Sequence, residues 1–477
     1  MHQDRPVPHA HCVPAQGSAP ALIATLVAAL ALSGCAGFPW QKAPPPPSIR
    51  GGYAAGDKLM VILPAKGPVA DAANAVREGL RAANGADDTA AKPALTFIAN
   101  DDPKKMAADY KGAIGAGATQ VIGPLLKPSV DVLAGGPALK VPTLALNQAT
   151  TPGKPAANLY QFALAPETEA VDVANKAKAR GFTRALMLSP KGEAGSRRAD
   201  AFRRQWQKLG GTLVGEASLD PAAANLSKSL NALLHKGAAD VLFLATDADQ
   251  ARKVFPAVRD GAVSLPVVAT SAVYSGQPDP VRDKALTGLY FVDAPWVLGV
   301  GAADDPLARA KLKRGSSALA TPLGLRLYAM GIDAYRLAPR LSTLAKDAGA
   351  TFPGESGTLS IDSAGRVQRQ LTLAQFTASG PQPAPAMVAA KPGVPATAAP
   401  ADQPAKPAKP AKAKHPTKAK PATKPKPATG TEPAAPAEPA AKAEPPTPIA
   451  RPQRIAPAPR PEPVTPAPQP EPVARPG

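Results

Sequence analysis

An α/β fold with parallel sheets is what the sequence predicts for the roughly 320 residues from Lys58 to about Ser379, and three observations predict it. Short apolar runs alternate with amphipathic helical patterns along the whole stretch. The run Val241 to Ala245 is apolar at every position, as in a parallel strand covered on both faces. The stretch is also longer than one hydrophobic core usually fills, which predicts two lobes.

The elements follow in order. Leu59 to Leu63 reads as a strand, closed by the turn Pro64-Ala65-Lys66-Gly67-Pro68. A helix follows, with Val69, Ala73, Val76, Leu80 and Ala83 at three- and four-residue steps and Arg77, Glu78 and Arg81 off that stripe. Asn84-Gly85 is its stop. Leu95 to Ala99 is the next strand, and Asp101-Asp102-Pro103 opens the next helix. Gln120 to Ile122 and Thr143 to Leu146 are two more strands. Beyond Phe162 the alternation resumes with a helix from Pro166 to Arg180, stopped by Gly181, and a strand from Ala185 to Leu188. Phe202, Trp206 and Leu209 line one face of a further helix that Gly210-Gly211 ends. Asn225 to His235 buries Leu226, Leu230, Leu233 and Leu234. Val267 to Ala269 and Leu289 to Val292 are strands, and Leu323 to Leu341 is a long helix. Residues 357 to 376 read as closing strands around an Asp362 to Gly365 turn.

The two ends of the chain differ from this body. Ala21 to Leu32 is a charge-free apolar run, too short for the roughly 20 residues of a membrane span, so it reads as the core of a secretory signal. Leu32-Ser33-Gly34-Cys35 resembles a bacterial lipobox, which makes residues 1–34 a signal peptide and Cys35 the lipidated new N-terminus. Its loss would remove Cys12 and leave no thiol free for a disulfide. A multi-chain lipid anchor holds stably to a membrane. Ala36, in place of Asp after the cysteine, implies by resemblance to other lipoproteins sorting to the outer membrane, facing the periplasm. Residues 35–56 form a tether, stiffened by Pro44 to Pro47 and loosened by Gly51, Gly52 and Gly56. From 380 to 477 the chain is Pro, Ala and Lys with almost no large apolar residue, the composition of a disordered tail. From Lys391 onward it holds 14 Lys and Arg against 6 Asp and Glu, a share of +8 in the chain's +19. Such a tail reads either as a solvated spacer or as a weak, salt-screened attachment to anionic envelope polymers or peptidoglycan carboxylates. An exported chain meets no nucleic acid, so the charge is no sign of one.

Several stretches of the body resemble the C-terminal domain of the penicillin-binding-protein activator lipoproteins (LpoA type, also called the LppC family). They include LMVILPAKGPVADAANAVREGLRAA (59–83), VIGPLLKPSVDVL (121–133), VPTLALNQ (141–148) and FALAPETEAVDVA (162–174). LTGLYFVDAPWVL (286–298), RLYAMGIDAYRL (326–337) and SGTLSIDSAGRVQRQL (356–371) continue the match in order. The resemblance implies a type I periplasmic-binding-protein clamshell over 57–379. Lobe 1 would comprise 57–163 and about 288–345, and lobe 2 would comprise 164–287 and about 346–378. It further implies a non-catalytic lipoprotein that binds and stimulates a class A penicillin-binding protein, a bifunctional peptidoglycan synthase. The helical tetratricopeptide-like domain of longer members has no counterpart here, and the basic tail has none in the family pattern.

Chemistry is thin in the residues themselves. His235 is the one histidine between Lys58 and Ser379, at a helix end, and no Cys lies in that stretch. A Cys/His pair or a usual zinc set cannot be assembled from these, so no catalytic residue, metal or cofactor is expected. Glu167 with Glu169, and Asp101 with Asp102, are spaced too closely to share a helix face. Gly112, Gly115 and Gly117 follow a helical pattern rather than a strand, unlike a dinucleotide loop. Open α/β sheets bind ligands at the carboxyl ends of their strands. That places candidate ligand or partner contacts at Lys66, Gly67, Pro124, Lys127, Asn147 and Gln148, with Glu167 as a first-turn charge and Arg197 as an anion or ion-pair anchor. Ala65-Lys66-Gly67 and Pro124-Leu125-Leu126-Lys127 are bulkier than the hydroxyl-bearing loops that hold amino acids. The rival expectation is a substrate-binding lipoprotein of an ABC importer for amino acids or similar solutes.

Overall fold

The computed structural model describes residues 52–387, apart from 152, 154–155, 220–225, 235–237, 261–264, 302, 313–318 and 385–386. The signal, Cys35, most of the tether, His235 and nearly all of the basic tail lie outside the described residues.

The first lobe is a five-stranded parallel sheet. Its strands are β1 (Lys58–Leu63), β2 (Ala94–Ala99), β3 (Gln120–Ile122), β4 (Thr143–Ala145) and β5 (Leu159–Gln161), in the order β2-β1-β3-β4-β5. Helices α1 (Ala70–Ala86), α2 (Met106–Gly115) and α3 (Lys127–Ala134) run between them. β1 is buried from Leu59 to Leu63 because helices cover both faces of the sheet, which is why its sequence does not alternate. A short turn of 3-10 helix, Pro103–Lys105, leads into α2, with the Asp102 carboxylate accepting from the Lys104 N–H.

The second lobe holds β6 (Arg184–Pro190), β7 (Thr212–Leu219), β8 (Val241–Leu244), β9 (Val267–Ala269) and β10 (Tyr290–Asp293) in parallel pairing. Its helices are α4 (Pro166–Ala179), α5 (Glu193–Lys208), α6 (Leu226–Leu234), α7 (Ala248–Arg259) and the single turn α8 (Pro280–Asp283). Phe202 stacks on Trp206 and on Phe243, centroids 5.6 and 4.2 Å apart, fixing α5 to β8. The chain then returns to the first lobe as α9 (Pro322–Leu337) and α10 (Leu341–Lys346). A three-stranded antiparallel sheet follows, made of β11 (Phe352–Gly354), β12 (Gly357–Ile361) and β13 (Val367–Gln370). β14 (Thr372–Thr377) and β15 (Gly380–Pro383) complete the second sheet as antiparallel strands, in the order β15-β14-β10-β9-β8-β6-β7.

Two expectations need correction. The sequence reading gave 288–345 to the first lobe, but β10 lies inside the second sheet between β9 and β14. The return crossing therefore comes after Asp293. A strand's neighbours are set by open ladder groups elsewhere in the fold, which its own four residues do not encode. The reading also began the tail at 380. Gly380–Pro383 instead pairs with β14, the Ala384 N–H donates to Leu373 O at 2.9 Å, and Met387 is buried. Pro381 and Pro383 sit on the last strand of the sheet, where a missing N–H costs no ladder bond.

Two contacts position α9. α9 crosses α1 at a pair of glycines: a Cβ on Gly79 would stand 2.1 Å from Tyr328 O, and one on Gly331 would stand 2.3 Å from Val76 O. Nothing larger than hydrogen fits either place. Farther along the same helix, Arg326 reaches the second lobe. Its guanidinium donates to Asp293 Oδ1 (2.9 Å) and Oδ2 (2.5 Å), and to Ser271 O (3.0 Å) and Tyr274 O (3.1 Å). Glu169 on α4 accepts from the Ser271 hydroxyl at 2.7 Å and pairs with Arg369 of β13 at 3.4 Å. These groups are buried and bonded to one another as a polar network, with Arg369 Nε left without a hydrogen-bond partner.

Candidate functional site: the cleft at the strand ends

The loops after β1, β3, β4 and β6 are where a parallel sheet offers its backbone to a ligand. Here the offer is largely taken up by the protein. The N–H groups of Ala65 and Lys66 both donate to Asp101 Oδ1, at 2.6 and 2.9 Å. These two bonds hold the Asp101 carboxyl below its ordinary range, against a smaller desolvation effect. Gly67 makes the turn into α1 with φ +86°, and its carbonyl accepts from the Ala70 N–H.

The loop after β3 is set by Gly123, whose φ is +103° and whose Cβ would meet Ile62 O at 2.0 Å. The Gly123–Pro124 peptide is cis. Pro124 O accepts from the Leu146 N–H at 2.8 Å, so this loop is bonded to the end of β4. Lys127 is exposed at the first position of α3. Asn147 donates from Nδ2 to Leu125 O (3.0 Å) and accepts from the Gln148 N–H (3.0 Å). The next two amides are occupied as well. Ala149 N–H donates to Gln161 Oε1, and Thr150 donates from both N–H and hydroxyl to Asp131.

From the second lobe, Glu167 at the start of α4 meets Arg197 on α5, Nε to Oε1 2.5 Å. Burial alone would raise the Glu167 carboxyl. Its bond to Arg197, a backbone amide and the nearby Lys127 ammonium hold it below the usual carboxylate range instead. Lys127, on α3 of the first lobe, makes the smallest of these contributions. Lys66, Gly67, Pro124, Asn147 and Gln148 lie in the first-lobe loops and make the bonds just described. Ser196, beside Arg197, donates from its hydroxyl to Gly192 O.

The sequence reading did not find Asp101 and Asp131 as the residues that occupy the loop amides, although Asp101 had a local signal as a helix opener. It also missed the junction of Glu169, Ser271, Asp293, Arg326 and Arg369, whose partners lie 33 to 200 residues apart. Trp296 is buried, donates to Leu307 O at 2.7 Å and lies against Tyr328. Among the described residues no group of three or more His, Cys, Asp or Glu is placed to hold a metal ion. A groove of about 480 Å³ opens away from the strand ends, between α1 and residues 306–312.

Against known proteins, residues 56–379 match the family model described as "LppC putative lipoprotein". A curated relative, the penicillin-binding protein activator LpoA of Dickeya chrysanthemi, is 30% identical over 301 residues, covering 54% of this chain and 43% of its own. The chain spans about half the length of the curated relatives it matches. Among solved structures, the C-domain of Haemophilus influenzae LpoA, described as a regulator of PBP1A, superposes with a TM-score of 0.57 at 23% identity. It covers 69% of this chain and 100% of that domain. A Chromobacterium violaceum structure described as "a putative branched-chain amino acid ABC transporter" superposes with a TM-score of 0.55 at 29% identity, over 67% of this chain and 99% of that one. The type I periplasmic-binding-protein-like α/β fold is common to all of them.

Proposed function

Because this chain belongs to the LppC lipoprotein family, with a match over residues 56–379, we propose that it is an outer-membrane lipoprotein that activates a class A penicillin-binding protein. The observation that carries this reading is the family match over the whole body, joined to relatives that are named penicillin-binding protein activators. The cleft supports it from the physical side. Its loop amides at 65, 66, 148, 149 and 150 already have partners within the protein. An activator needs no group that makes or breaks bonds. It needs a surface that binds the active state of the synthase better than the resting state. Cys35 would carry the lipid, the tether would span from membrane to body, and the basic tail would add salt-sensitive attachment to anionic envelope polymers.

The test is the glycan polymerisation rate of a purified class A synthase with and without the full chain. A rise in rate that saturates with added chain supports the proposal. No binding and no change in rate across the cell's own class A synthases defeats it. A second reading, the solute-binding lipoprotein of an importer, has the Chromobacterium likeness in its favour. It predicts a thermal shift with amino acids, since ligand at 100 times Kd adds about 2.7 kcal/mol. The occupied amides predict none.

A further inference from the structure

The groove between α1 and residues 306–312 has firm walls and an apolar lining. Leu307, Leu312, Leu319 and Tyr328 face it, with Ala82 and Ala86 of α1 on the opposite wall. The 306–312 wall is held in place. Leu307 donates its N–H to Asp305 Oδ1 (2.8 Å), its carbonyl accepts from the Trp296 indole, and the Arg309 guanidinium lies 4.9 Å from a Trp296 ring centroid. The charged residues at the groove are Glu78, Arg81 and Lys311, a mixed set that selects no sign. Apolar contact and reach therefore decide what fits.

The segment that leads into the body ends beside this groove. Tyr53 is buried, its ring centroid is 5.0 Å from that of Tyr335, and its hydroxyl donates to Tyr335 O at 2.7 Å. The Tyr335 hydroxyl in turn donates to Asp87 Oδ2 at 2.7 Å and accepts from Asn84 Nδ2 at 3.4 Å. Those two residues flank Gly85 and Ala86 of the groove wall. Tyr328 stands seven residues before Tyr335 on α9, about 10 Å along the helix axis. Immediately before Gly52 the chain reads Pro44-Pro45-Pro46-Pro47-Ser48-Ile49-Arg50-Gly51. At about 3.1 Å per residue, Pro47 reaches about 19 Å from Tyr53 and Pro44 about 28 Å, both beyond the distance to Tyr328.

We infer that residues 44–49 of the tether dock in this groove as an extended polyproline segment, with proline rings and Ile49 against Tyr328 and Leu312. The fixed φ of proline leaves little backbone freedom to lose on docking. Only residues 50–52 separate the segment from Tyr53, so it meets the groove at an effective concentration that a separate chain does not have. The C-terminal segment is a poorer fit. It leaves the body at Met387, in the core cluster of the second sheet, and it holds no run of more than two prolines. Docking leaves residues 36–43 free between Cys35 and the body, about 25 Å when extended, and release as far as Gly52 about doubles that reach. The groove thereby sets how far the body stands from its anchor.

The test uses the full chain in detergent with Ile49→p-benzoylphenylalanine, irradiated, digested and read by mass spectrometry of the crosslinked peptides. The expected product is a monomer in which position 49 is joined to residues 306–312 or 82–86. A loose tether could give some of that product by proximity, so two further variants isolate docking. Pro45→Gly with Pro46→Gly keeps the length but loosens the segment, and lowers the crosslink yield at least fivefold. Ala86→Arg fills the groove and lowers the yield as much, with melting unchanged; if it melts early, the proline variant decides alone. Equal yield from the loosened tether, crosslinks spread over other faces, or a crosslinked dimer would each overturn the proposal. Docking depends on neither the synthase nor the lipid. Only its effect on reach rests on the Cys35 anchor, so a chain that crosslinks as expected without acyl groups keeps the docking and loses the reach.

Discussion

The protein contains two arginine–carboxylate pairs of the same length and opposite circumstances. Arg326 and Asp293 meet at 2.5 Å where the lobes join, with side chains 9% and 1% exposed. Arg197 and Glu167 meet at 2.5 Å in the cleft, with side chains 40% and 32% exposed. Equal geometry does not mean equal energy. Water screens the cleft pair and can solvate either partner if the other is lost. At the junction no water replaces a lost partner, and Arg326 also binds Ser271 O and Tyr274 O. The cleft pair can therefore rearrange when something binds, whereas the junction pair cannot without loosening the two lobes.

The strongest way to break this contrast is Asp293→Ala. It strands a buried guanidinium, and a loss of about 3–5 kcal/mol is expected in denaturant melts. Replacing both partners by apolar residues of similar volume should recover much of that loss, because the desolvation cost goes with the charges. A smaller cost falls at the second contact that positions α9. Gly331→Ala puts a methyl 2.3 Å from Val76 O, so α1 and α9 must move apart, at roughly 1–3 kcal/mol. Melting of Gly331→Ala no lower than that of the parent would show that the helices do not meet there.

How legible these regions were follows from the range of their contacts. Four of the five strands of the first lobe and most helices were readable, because a buried apolar run or a stripe at 3.6-residue spacing is written within a dozen residues; β5, three residues long, was not. β1, β3 and β9 lie where the apolar runs put them. Gly79 was passed over because it falls between Val76 and Leu80 on a helix whose stripe looks complete without it. Its role exists only once Tyr328 lies opposite. β10 and β15 were misassigned for a related reason, since pairing depends on a partner far along the chain. The candidate cleft residues were named from strand ends alone. Nothing local in Lys66 or Gln148 shows that Asp101 and Asn147 take the amides there.

Asp333 tests burial against pH. It lies fully buried on α9, accepting from the Glu355 N–H (2.7 Å), the Ser356 N–H (2.7 Å) and the Ser356 hydroxyl (2.5 Å). Burial, with Glu355 adding to it, pushes its carboxyl up to about 7, against the lowering effect of those donors. A carboxyl raised on folding binds its proton more tightly in the native state. Its contribution is therefore present in full below the unfolded value near 4 and is lost as pH rises toward 7. The expected slope is up to about 1.4 kcal/mol per pH unit in that window. Asp333→Asn should flatten it. If the variant and its parent show the same slope between pH 4 and 7, Asp333 is not the group that titrates.

The smallest effect returns to the cleft. Arg197→Ala removes a half-exposed partner, and Glu167, itself partly exposed, keeps the nearby Lys127 cation. Stability should fall by about 0–1 kcal/mol, less at high salt. A loss as large as that of Asp293→Ala would mean that the cleft is as dry as the junction and the contrast between them false. A small loss together with altered stimulation of a synthase would make the pair part of the working surface. That combination is informative because a residue that barely supports the fold cannot act on the synthase by unfolding the protein, so its effect would have to come through contact or through the setting of the two lobes.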